Sequence, residues 1–180
     1  LLTRTQTLQK LKILGWADGE DFNERQTAAI VSGFENNKTL RELEFDTWRE
    51  VGLTPVLTAL QDHPTLQKIH FSNTTTSLVD TPSLSGLAVL LRSQDSKVKE
   101  LVLEQVDTRT VGFQPVLREL ERNTIVTSLA IRYSKLSREN VRQVKSMLRQ
   151  NTALQCLDLT SSGLESTGLE EIASVLYRNT

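Results

Sequence analysis

The stretch Leu154-Gln155-Cys156-Leu157-Asp158-Leu159 decides the fold. Its leucines stand at i, i+3 and i+5, and the last two flank a polar residue, as in a strand that buries one face and exposes the other. The spacing recurs upstream as Val126/Leu129/Ile131, Val98/Leu101/Leu103, Leu66/Ile69/Phe71, Leu40/Leu43/Phe45 and Leu8/Leu11/Ile13. Successive first members lie 28, 28, 32, 26 and 32 residues apart. Self-similarity at about 20 to 50 residues is the mark of a repeat architecture.

Between these strands runs a second pattern, an apolar i, i+3, i+4, i+7 stripe that lays one helix face against a strand layer. It reads Thr27/Ile30/Val31/Phe34, Leu53/Val56/Leu57/Leu60, Leu84/Leu87/Ala88/Leu91, Phe113/Val116/Leu117/Leu120 and Leu169/Ile172/Ala173/Leu176, with a weaker Val141/Val144/Leu148 that Lys145 interrupts. Pro55 and Pro115 suit a first helical turn, and Ser137 and Ser166 suit N-caps. From the last helical anchor to the next strand the chain takes six residues in every unit except the third, which takes seven. From strand to helix it takes 19, 13, 18, 15, 15 and 15, so the insertions of units one and three fall on one rim.

A strand and a helix that cannot bury their apolar sides alone do so by stacking on neighbouring copies. The expected fold is therefore α/β, a curved solenoid of about six strand-helix units with a parallel inner sheet and outer helices. Its repeats start near residues 8, 40, 66, 98, 126 and 154 of one array spanning 1–180. At about 4.8 Å between strands the sheet is about 24 Å wide, an arc and not a full horseshoe.

On these residues the chain resembles the leucine-rich repeats of the ribonuclease-inhibitor-like type. The best match to L-x-x-L-x-L-x-x-[NC]-x-L runs from Leu154 through Ser162 to Leu164, followed by a helix ending Tyr177-Arg178-Asn179-Thr180. The chain departs from the pattern at the ninth position, where Asn or Cys is replaced by Trp16, Trp48, Thr74, Val106, Ser134 and Ser162. The eleventh-position leucine survives only at Leu136 and Leu164.

Leu2 precedes Leu8 as Leu148 precedes Leu154, and Arg178-Asn179-Thr180 falls in phase with Gln150-Asn151-Thr152. The chain thus reads as a fragment of a longer array, with other domains expected in the same parent protein.

Composition removes several classes of function. A net charge of −1 without a Lys/Arg block argues against nucleic-acid binding, which rests on a basic footprint. No apolar run approaches the roughly 18 to 20 residues of a membrane span, and Leu1-Leu2-Thr3-Arg4 is not a signal peptide. A single cysteine, Cys156, cannot form an internal disulfide, which fits a reducing, cytoplasmic setting. The N-x-[ST] triplets at Asn37 and Asn73 would suit a secreted protein but are common by chance.

No catalytic constellation stands out, and neither an enzyme nor a cofactor is expected. The only histidines are His63, near a helix end, and His70, on an outward strand position; each reads as a solvated residue. Cys156 faces outward without a basic neighbour in sequence. The acidic stretch Asp18 to Glu24 lacks the spacing of a calcium loop and reads as a solvated connection.

What the pattern does supply is a surface. Residues between the buried strand anchors point away from the helices. The fifth repeat position gives Lys12, Glu44, His70, Val102, Ala130 and Asp158, and the seventh gives Leu14, Asp46, Ser72, Glu104, Arg132 and Thr160. The eighth adds Gly15, Thr47, Asn73, Gln105, Tyr133 and Ser161. Mixed charge suits a polypeptide partner, and Glu44, Asp46, His70, Glu104, Arg132, Tyr133 and Asp158 are the candidate partner-binding residues. Arg132, Tyr133 and Trp48 are preferred as anchors, because interfaces favour Tyr, Trp and Arg at their centres. Trp16 and Trp48 both occupy a normally inward station and fit better as space-fillers beneath the rim. The loops from Trp16 to Gln26 and from Asn73 to Ser83 form a second candidate surface.

The expected function is a non-catalytic protein-interaction module of a larger intracellular protein. The resemblance extends to arrays in cytosolic innate-immune receptors and Roco proteins. Two alternatives stand beside it: a regulator like the GTPase-activating proteins for Ran, and an actin-capping domain like that of tropomodulin, which this chain resembles in its Asn-Thr helix endings.

Overall fold

The computed structural model describes residues 7–14, 24–46, 53–72, 82–109 and 113–176. The expectations placed on Leu2, Trp16, Asp18 to Asn23, Trp48, Asn73, the tip of the 73–83 loop and Tyr177 to Thr180 lie outside them. Strands and helices alternate: β1 Lys10–Leu14, α1 Glu24–Asn36, β2 Glu42–Asp46, α2 Leu53–Ala59, β3 Lys68–Ser72, α3 Pro82–Arg92, β4 Glu100–Glu104, α4 Phe113–Arg122, β5 Ser128–Arg132, α5 Arg138–Gln150, β6 Cys156–Asp158 and α6 Ser166–Leu176. The six strands form one open parallel sheet in sequence order. Each helix packs on the next, α1 on α2 through to α5 on α6.

The register repeats without slip: Leu43 pairs with Ile69, Ile69 with Leu101, and Leu101 with Leu129. One carbonyl per unit fixes it. Gln9 O accepts the N–H groups of Arg41 and Glu42 at 2.8 and 2.9 Å, and Arg41, Gln67, Lys99 and Thr127 do the same for the unit that follows each. A slip of one residue would turn every buried strand side chain to solvent.

The core lies between sheet and helices as one cluster. Leu43, Phe45, Ile69, Leu101, Leu103, Leu129 and Ile131 are at most 1% exposed, as the i+3, i+5 pattern requires. Phe45 and Phe71 stack with centroids 5.2 Å apart. Burial weakens at both ends, where Leu8, Leu11 and Ile13 in the first unit and Leu154, Leu157 and Leu159 in the last are only partly covered.

Three expectations need correction. The stripe Leu169/Ile172/Ala173/Leu176 does not bury as a whole. Ile172 and Val175 are covered, whereas Leu169 is 60% and Leu176 56% exposed. In α5 the equivalent Val141 and Leu148 are buried, because there a following helix covers them. Ser166 is not an N-cap but the first helical residue of α6, and Leu169 N donates to the Glu165 carbonyl at 3.0 Å.

Third, His63 is not solvated; it is 4% exposed. It takes the place that asparagine holds in other units. Asn151 Oδ1 accepts from Ala153 N (2.9 Å) and Leu154 N (2.7 Å), while its Nδ2 donates to the carbonyls of Leu120 (2.6 Å) and Asn123 (3.0 Å). Asn123 repeats this on Ile125 N, Val126 N and the Leu91 carbonyl. The side chain thus ties the end of a helix to the start of the next strand and to the unit before it. His63 manages a weaker version, with Nδ1 accepting from Thr65 N at 3.4 Å. In the third return, one residue longer, Ser93 and Ser96 hydroxyls take over, accepting from Asp95 N and Val98 N.

Asn37 belongs to the same series. It is 1% exposed, and its Oδ1 accepts from Thr39 N (3.0 Å) and Leu40 N (2.8 Å). Its triplet is a structural join and not an accessible glycan acceptor.

At two of the ninth positions a serine stands in for the missing Asn or Cys. Ser134 is 1% exposed; its Oγ donates to the Arg132 carbonyl at 2.8 Å and accepts from Val106 N of the previous unit at 3.0 Å. Ser162 Oγ donates to the Leu159 carbonyl at 2.6 Å. A hydroxyl so placed both donates and accepts, which satisfies the turn without an amide. Ser137 caps α5 as expected, in a capping box whose return partner is Asn140.

Candidate functional site

The face of the sheet opposite the helices carries the residues singled out from sequence, and the pairing between strands decides their neighbours. Alternation puts positions three, five and seven of each unit on this face, and the in-phase register aligns them into rows.

The third-position row alternates in sign and closes into pairs, Lys10 Nζ to Glu42 Oε2 at 3.2 Å and Lys68 Nζ to Glu100 Oε2 at 3.2 Å. Its last members are Ser128 and the exposed Cys156.

The fifth and seventh rows are more tightly knit around β2 to β4. Lys12 Nζ reaches Glu44 Oε1 at 2.7 Å and Asp46 Oδ2 at 3.1 Å, and the hydrogen bonds to Glu44, then Asp46, raise the lysine pKa. His70 lies between two carboxylates, with Nδ1 3.8 Å from Glu44 Oε1 and Nε2 3.4 Å from Glu104 Oε2. The latter contact is not aligned as a hydrogen bond, and among the described residues the buried Nε2 has no hydrogen-bond partner. Asp46 and Ser72 are 6% and 8% exposed.

Toward β6 a second group forms. Arg132 Nε donates to Asp158 Oδ2 at 2.7 Å. Asp158 also accepts from the Thr160 hydroxyl (2.6 Å) and backbone N–H (2.9 Å). Those Thr160 bonds, followed by Arg132, pull the Asp158 carboxyl down to about 2. Val102 and Ala130 form a buried apolar saddle between the two groups.

The structure therefore brings Glu44, Asp46, His70 and Glu104 together and sets Arg132 with Asp158 apart from them. Tyr133 stands at the rim, 54% exposed, at φ 51°. Gln105 and Ser161, its equivalents in the neighbouring units, share this left-handed conformation at 54° and 53°. The chain must leave the strand there to enter the buried ninth position, and the Tyr133 N–H is held by the Thr160 carbonyl at 2.9 Å. Sequence reasoning placed Ser72 in its row without selecting it; only the packing shows that its hydroxyl is buried and unpartnered. Among the described residues, no group of His, Cys, Asp and Glu is arranged to hold a metal ion, and no helix is long and apolar enough to cross a membrane.

Known structures share this arrangement of an open parallel sheet backed by helices. The leiomodin-1 actin-binding site 2 is similar with a TM-score of 0.62 at 17% identity, over 84% of this chain and 87% of that one. The tropomodulin C-terminal domain of Caenorhabditis elegans is similar with a TM-score of 0.63 at 13% identity, over 85% and 92%. The fold is of the leucine-rich-repeat type. No protein-family model and no curated protein matches the sequence. At these identities the likeness concerns the fold, and the residues of the inner face are this chain's own.

Proposed function

We propose that this chain is a protein-interaction module that binds actin through the inner face of its repeat sheet. The observation that carries the reading is the match over 84% of the chain to a domain whose name states actin binding, at a TM-score of 0.62. The inner face supports it with a broad, mixed-charge surface on a rigid scaffold, suited to a folded polypeptide. Of the functions weighed from sequence, the actin-capping alternative has the better support, since the second structural neighbour is a tropomodulin domain. The binding residues proposed are Glu44, Asp46, His70, Glu104, Arg132, Tyr133 and Asp158.

Co-sedimentation of the 180-residue chain with actin filaments, paired with elongation assays at each filament end, tests the reading. Expected is saturable binding and slowed elongation at the pointed end. Absence of binding to both monomeric and filamentous actin at about 100 μM, well above the micromolar range of weak specific complexes, would overturn it.

A further inference from the structure

We propose that the inner face between β2 and β4 is a receptor for one cationic side chain of the partner, arginine by preference, formed by Glu44, Ser72 and Glu104 around the His70 imidazole. The inference rests on the inner face being the binding surface and names what that surface selects.

Charge is the first argument. In the fifth and seventh rows four carboxylates, Glu44, Asp46, Glu104 and Asp158, face two cations, Lys12 and Arg132. Lys12 is shared by Glu44 and Asp46, and the Arg132 Nε is spent on Asp158 at 2.7 Å. Glu104 makes no direct ion pair with a lysine or arginine among the described residues. Arg132, beside it in register, turns its Nε to Asp158 and acts on Glu104 only through its field, and the nearest charged-group contact of Glu104 is His70 Nε2 at 3.4 Å. A carboxylate held on a rigid strand without a direct ion pair still favours an incoming cation.

The second argument is independent of charge. Ser72 is 8% exposed, and among the described residues its hydroxyl has no hydrogen-bond partner. It stands in register between Asp46 and Glu104, two residues along the strand from His70. Buried polar groups are nearly always satisfied, so the unsatisfied Ser72 hydroxyl, two residues along β3 from the equally unsatisfied His70 Nε2, marks a place that an incoming donor can complete.

Guanidinium chemistry fits both. Its planar fork carries five N–H donors, enough for the Glu104 carboxylate and the Ser72 oxygen together, and its face stacks on an aromatic ring such as His70. A lysine ammonium offers the charge without the fork. A divalent cation fits less well, because the imidazole stands between Glu44 and Glu104, 3.8 and 3.4 Å from their oxygens, and keeps them from converging.

The test uses the 180-residue chain and three blocked tripeptides, acetyl-Gly-Arg-Gly-amide and its Lys and Glu counterparts, followed by NMR. Expected are shifts at Glu44, His70, Ser72 and Glu104 with the Arg peptide, smaller ones with Lys and none with Glu. Glu44→Gln with Glu104→Gln should weaken Arg capture about tenfold. His70→Arg, which tethers a guanidinium between the same carboxylates, should abolish it with the spectrum still that of a folded chain. Arg peptide shifts that miss these residues, or survive both variants unchanged, would overturn the proposal. Actin that binds while the Arg peptide does not would sink the receptor alone; the Arg peptide binding without actin would sink the actin reading alone.

Discussion

His63 shows what one residue can impose on this fold. Burial and, after it, the nearby Lys38 lower its pKa below the ordinary 6.5. The folded chain therefore holds it neutral where the unfolded chain takes up a proton, and stability falls as pH drops below about 6.5 toward the depressed folded value. Its neutral Nδ1 is also the acceptor for Thr65 N, so protonation removes that bond. His63→Asn should flatten this acid sensitivity and restore the join used by Asn123 and Asn151, which thermal melts between pH 5 and 8 will show. Conversely, Asn151→Ala strips partners from Ala153 N, Leu154 N and two carbonyls and should cost about 3 kcal/mol by urea unfolding. Tyr133 sits in a conformation that costs a non-glycine residue about 1 kcal/mol. With its ring 54% exposed, Tyr133→Gly should leave stability within about 1 kcal/mol while removing a proposed anchor, so a loss of partner binding there would report on the proposed interface itself.

At the scale of the element, the helices depend on what covers them. Val141 and Leu169 occupy the same station one repeat apart, yet Val141 is 4% and Leu169 60% exposed. Val141→Glu would bury an unpaired carboxyl and should cost about 4 kcal/mol, whereas Leu169→Glu should change stability by no more than about 0.5 kcal/mol. Equal losses on chemical denaturation would show that α6 is covered on both sides. The start of α5 depends on its cap: Ser137 Oγ accepts from Asn140 N at 3.1 Å, and Ser137→Ala should cost about 1 kcal/mol.

For the whole molecule, stability is a sum of units and the contacts between neighbours. The strands β2 to β5 each pair on both sides over buried aliphatic and aromatic anchors, while β1 and β6 pair on one side over partly covered ones among the described residues. Hydrogen exchange should be slowest at Ile69, Leu101 and Leu129 and faster at Leu11 and Leu157; a single rate throughout would mean that the array opens only as one block. The same stacking builds the inner face, where every row is a set of residues 26 to 32 positions apart in sequence.

The sequence by itself determined the repeat. Period-two burial in strands and the helical stripe are local signals, and with Leu101, Leu129 and their equivalents they specified six strand-helix units, the register and the rows of the inner face, all of which the structure repeats. The ends, the polar joins and the state of each inner-face residue were decided only by tertiary structure. Whether Leu169 is buried depends on a neighbouring unit, whether His63 is solvated depends on the packing around it, and whether Ser72 has a partner depends on side chains from β2 and β4. Those are properties of contacts between units, and a pattern read along one chain segment carries the period of such contacts but not their occupancy.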